Sequence, residues 1–72
     1  MLFDYSKLRG RIVEKIGSQY AFAAMIKMSE KTLSLKINNK VAFTQDEICR
    51  ILRKLEIPYS EIEAYFFTPK VK

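Results

Sequence analysis

The chain has 72 residues, 49% of them apolar and 29% charged, with 13 Lys and Arg against 8 Asp and Glu. That is enough for one domain, which at this size buries only about 60% of its unfolded surface and leaves no room for a deep catalytic pocket. There is no histidine, and Cys49 is the only cysteine. An internal disulfide, the usual zinc sites and any Cys–His or Ser–His catalytic pair are thereby excluded. No apolar run approaches the roughly 18 residues of a membrane span. The first residues lack the basic and apolar regions of a secretory signal. The expectation is a cytoplasmic binding protein, not an enzyme, with no cofactor, no metal, no small-molecule ligand and no membrane partner.

Caps and breaks divide the chain into four or five short helices, an all-α fold. Tyr5, Leu8, Ile12, Val13 and Ile16 recur at helical spacing, and Gly17 supplies a left-handed end. Ser18 can cap a second helix with Phe22, Ala23 and Ile26 inward, while Met25 and Met28 read as gap-filling core. Ser29 caps a third helix that buries Leu33 and Ile37, and Asn38-Asn39 ends it. Thr44 and Glu47 form a capping box for a fourth helix with an apolar stripe of Ile48, Ile51, Leu52 and Leu55. Pro58 suits the first turn of a fifth helix containing Ile62. Residues 66–72 read as a short extended tail, broken at Pro69. One domain, 1–72, accounts for the whole chain.

Residues 18–38 carry the functional information. A short helix, a tight turn and a second capped helix have the size of a helix-turn-helix unit. Gln19 stands at the first position of such a unit and small Ala23 at the fifth. Ile26 and Met28 flank the turn, and Leu33 points into the core. With these residues the chain resembles the phage Cro and repressor type of helix-turn-helix family, including small Cro-like proteins of Gram-positive phages. The family usually has glycine at the ninth position, where this chain has Lys27. A lysine in the left-handed conformation costs roughly 1 kcal/mol.

The resemblance implies a lambda-repressor-like domain whose third helix enters the major groove. Ser29, Glu30, Lys31, Ser34, Leu35 and Asn38 then face outward. Lys31 can donate to guanine, Glu30 can accept from cytosine, and Leu35 can touch a thymine methyl. Gln19, Asn38, Asn39 and Lys40 are placed to contact the phosphate backbone. Phe66, Phe67 and Val71 are candidates for a homodimer surface, because a two-fold dimer matches a palindromic operator.

Charge and composition pull apart at this face. Residues 1–40 hold eight cations against three acids, whereas residues 41–72 hold five of each. That asymmetry favours a polyanion on the first half. Yet the third helix has no arginine, carries Glu30, and exposes Leu35. The leading expectation is a Cro-like regulator in the bacterial host cell, binding operator DNA as a dimer at the lysis–lysogeny switch. The alternative is an anti-repressor that binds the DNA-reading domain of a CI-type phage repressor and blocks its operator binding.

Overall fold

In a computed structural model, residues 2–71 form α1 (Ser6–Ile16), α2 (Gln19–Met25), α3 (Glu30–Ile37), α4 (Gln45–Lys54), a 3-10 turn (Tyr59–Glu61) and α5 (Ile62–Phe66). Met1 and Lys72, the ends of the expected 1–72 domain, lie outside the described residues. Among the described residues there is no strand, only an isolated antiparallel bridge between Phe3 and Pro69. The fold is therefore a small all-helical domain with an extended tail, as the sequence leads one to expect.

Side-chain caps set three helix starts. The Ser18 hydroxyl accepts from the Ala21 N–H at 3.1 Å, and the Ser29 hydroxyl accepts from the Thr32 N–H at 3.0 Å. At α4 the capping box is complete: Thr44 Oγ1 accepts from the Glu47 N–H, and Glu47 Oε1 accepts from the Thr44 N–H. Three helices end on left-handed residues that are not glycine: Lys27 (φ 58°), Asn39 (φ 65°) and Glu56 (φ 56°). In each case the next N–H reaches back to the helix. Met28 donates to the Ala23 carbonyl, Lys40 to Leu35 and Ile57 to Leu52, at 2.8–2.9 Å. Asn39 and Lys27 stand where the sequence predicts left-handed residues; Glu56 carries no such signal.

The inward residues of the helices meet in one core. Leu8 and Ile12 of α1, Phe22 and Ala23 of α2, Leu33 and Ile37 of α3, and Ile51 and Leu52 of α4 are all buried. α1 packs against α2 and α5, and α2 against α3. Two residues expected inside lie outside: Val13 and Met25, the latter 43% exposed. α2 turns only two faces to its neighbours, and Phe22, Ala23 and Ile26 already fill them.

The C-terminal end corrects the expected tail. α5 continues through Phe66, so the non-helical segment starts at Phe67. Phe66 is 1% exposed and meets Phe43 edge-on at 5.4 Å and Tyr5 at 6.4 Å between ring centroids. A side chain buried within its own chain cannot serve as the pairing surface expected of it. Phe67 and Val71 are exposed, although Phe67 also sits edge-on against Phe3 at 5.8 Å. The tail pairs with the first residues: Asp4 N–H donates to the Thr68 carbonyl, and Lys70 N–H to the Leu2 carbonyl. Asn39 clips the other side of that segment, accepting from the Phe3 N–H at 3.0 Å and donating to its carbonyl at 2.8 Å. On the outer edge, Pro69 has no N–H to offer an incoming strand.

Candidate functional site

α3 and the loop after it form the candidate face. At 3.6 residues per turn, Glu30, Ser34, Asn38, Lys31 and Leu35 span an arc of about 140°, and buried Leu33, Lys36 and Ile37 lie outside it. Glu30, Lys31 and Asn38 are exposed, Ser34 is half-buried, and Leu35 is 36% exposed. The Leu35 carbonyl accepts from the N–H groups of Lys40 and Val41. That contact carries the face on to the exposed Val41 side chain. Beside Val41 lies a cavity of about 180 Å³, walled by Phe3, Tyr5, Phe43 and Phe67 among others.

Several residues expected to touch DNA are already occupied. The Ser29 hydroxyl caps α3 and also donates to Thr32 Oγ1 at 2.8 Å. Asn38 Nδ2 donates to the Ser34 carbonyl at 2.8 Å and lies 3.3 Å from the Ser34 hydroxyl. Asn39 holds Phe3 instead of facing a phosphate. Glu30 sits in the first turn of α3, where a carboxylate is favoured by the helix dipole. Half-buried Gln19 opens α2. Lys31, Lys40 and Lys27 are the exposed cations near this face.

Four of the five remaining basic residues of the first half serve the fold, and the fifth, Arg9, is exposed. Arg11 donates Nε to the Leu55 carbonyl at 3.1 Å and Nη2 to the Glu56 carbonyl at 3.2 Å, closing the end of α4. Lys15 pairs with the Glu56 carboxylate, which together with the Lys15 charge holds that carboxyl below its ordinary pKa. Lys7 lies over the Tyr65 ring at 5.0 Å. Lys36 was missed as a structural residue: it is 5% exposed and donates to Glu47 Oε1 at 2.8 Å and to the Ala42 carbonyl at 2.9 Å. Desolvation pushes the Glu47 carboxyl up, but hydrogen bonds from Lys36 and Thr44 and the Lys36 charge outweigh it, so its pKa lies below the usual value. Helical spacing was the available signal, because Lys36 stands three residues after buried Leu33 and next to buried Ile37, on the inward side of α3.

The basic excess of residues 1–40 is therefore only partly available at the surface. Lys15 and Lys36 are neutralised by acids of the second half, and Arg11 is bound to carbonyls. The exposed α3 face has mixed charge, with apolar Leu35 at its edge beside Val41. Such a composition suits a protein contact better than a phosphate backbone. No group of three or more metal-ligating side chains occurs among the described residues. None of their helices is long and apolar enough to cross a membrane.

The whole chain is similar to a solved protein, the modulator of repression (MOR) of the temperate bacteriophage TP901-1 from Lactococcus lactis. Identity is 47%, the TM-score is 0.82, and the match covers 100% of this chain and 97% of that one. No curated protein matches. Over residues 1–69 the chain matches, and belongs to, the family described as Protein of unknown function (DUF739).

Proposed function

We propose that this protein is an anti-repressor. It binds a CI-type phage repressor in the bacterial host cell, covers the repressor's DNA-reading surface and so blocks operator binding. The observation that carries this reading is the full-length likeness to a phage modulator of repression at 47% identity. The face supports it: Leu35 and Val41 offer apolar contact at one edge, and Lys31 and Glu30 add charges of opposite sign across the rest of the face. The role is one of binding, without catalysis, cofactor or metal.

Direct, dimeric, Cro-like binding to operator DNA is the weaker reading. Its favourable observation is the set of exposed lysines at 27, 31 and 40. Against it stand Glu30 on the same arc and the internal duties of Ser29, Asn38 and Asn39.

Leu35→Lys tests the anti-repressor reading, because it drives a charge into an apolar contact. Binding to the repressor encoded beside it, measured by titration calorimetry, is expected to weaken at least about tenfold, as for a central interface residue. Helicity and unfolding midpoint should stay close to those of the parent, since the side chain is only partly covered. An unchanged dissociation constant would remove α3 from the interface.

A further inference from the structure

At the turn before α3, the end of α2 and one side of α4 hold a cleft of about 270 Å³ lined by Met25, Ile26, Lys27, Arg50 and Lys54. Three of its five lining side chains are cations, and none is an acid. They arrive from separate elements: Lys27 from the turn after α2, Arg50 and Lys54 from one side of α4. Arg50 is fixed in place by donating Nη1 to the Ile26 carbonyl at 2.8 Å, while its Nε leans toward Asp46 at 3.4 Å. That leaves part of its five-donor fork unspent. Met25 adds an exposed thioether to the rim.

Lys27 supplies an independent observation. Its φ of 58° is a left-handed conformation that glycine adopts freely and lysine does not. The conformation ends α2 as Asn39 and Glu56 end α3 and α4, and at this turn the residue presented is a cation. That side chain lines the cleft.

We propose that the cleft receives an acidic segment of a protein partner, with a carboxylate between Lys27, Arg50 and Lys54 and an adjoining apolar side chain on Met25. Charge complementarity selects the carboxylate, and the exposed thioether beside the cations selects a peptide over a nucleic-acid backbone. The segment's source, the repressor, rests on the function proposed above, but the cleft's ligand chemistry does not. Lys27 alone of the lining residues lies near the α3 face, and Arg50 and Lys54 come from α4, so this site and the Leu35 contact can fail separately.

The test is an NMR titration of the isotope-labelled full chain with a blocked tripeptide of two glutamates flanking a leucine. The control replaces both glutamates by glutamine. The acidic peptide should shift the backbone signals of Lys27, Arg50 and Lys54 with a dissociation constant on the order of 1 mM, and added salt should weaken it. The glutamine peptide should bind at least about threefold more weakly, the scale of a surface ion pair. Lys27→Gly, which relieves the left-handed lysine, should keep the fold and weaken the acidic peptide by a similar factor, as should Lys54→Gln. Equal binding of both peptides, no shifts at these residues at about 20 mM peptide, far above that constant, or tighter occupation of the same residues by a short DNA duplex would each overturn the proposal.

Discussion

Replacing Phe66 by alanine is expected to lower the unfolding free energy by about 3–5 kcal/mol. The ring is 1% exposed and packs edge-on between Tyr5 and Phe43, so truncation loses both transfer energy and the aromatic pairs. A chain of 72 residues has a total stability of about 4–11 kcal/mol at typical values per residue. The variant should therefore be marginal, with a urea midpoint lower by about 2–3 M. Phe67→Ala, one residue on, should cost far less, about 1 kcal/mol, because that ring is 45% exposed and its contact with Phe3 is at the surface. A Phe66→Ala chain as stable as the parent but altered in self-association would show instead that Phe66 faces another copy.

Lys36→Ala is expected to cost about 3 kcal/mol, the lower end for breaking a buried ion pair. Its ammonium joins the end of α3 to the start of α4 through Glu47 and the Ala42 carbonyl. Removing it leaves Glu47 with the Thr44 N–H as its remaining hydrogen-bond donor. Lys36→Met should cost less, since it keeps the buried stem. The pair also imposes a pH dependence. The Glu47 carboxyl has a lowered pKa in the folded state, so its stabilisation is complete above the ordinary carboxylate pKa and is lost as pH falls through the lowered value. Stability of the parent should decline on acidification below about pH 4.3, the ordinary glutamate value. Glu47→Gln should start less stable at neutral pH and show a shallower decline over the same window. A slope identical to the parent's would mean that Glu47 is not paired in solution. Glu56 and Asp4 titrate below their ordinary values as well, so the decline in Glu47→Gln is reduced and not abolished.

Local signals in the sequence were sufficient for most of the fold. Ser18, Ser29 and Thr44 are caps whose hydroxyls have a nearby N–H to satisfy, and that need is written within three residues. The stripe at Ile48, Ile51, Leu52 and Leu55 has helical period and ends against the core. The left-handed Glu56 was invisible because nothing in its side chain favours that conformation. Burial of Ile57 after it, together with the Arg11 clamp from 45 residues away, makes the turn worthwhile.

The site was less legible, and charge was the reason. Counting cations by chain segment assumes that each faces solvent. Lys15 and Lys36 instead meet Glu56 and Glu47 from the other half, and such pairings exist only after folding. Phe66 misled in the opposite direction. Three consecutive residues, Tyr65, Phe66 and Phe67, could each be core or surface, and the length of α5 decides which. Leu35 and Glu30 were the informative exceptions, because their types disagree with a phosphate-facing helix whatever their partners.

The most direct test is a fluorescence-anisotropy titration on labelled operator DNA at two salt concentrations, with the purified chain alone and with the repressor encoded beside it. The anti-repressor reading predicts little binding by the chain alone at either salt, and loss of the repressor–DNA signal as the chain is added. Saturable, sequence-selective and salt-sensitive binding by the chain alone, with the repressor's signal undisturbed at saturation of the chain, would contradict it.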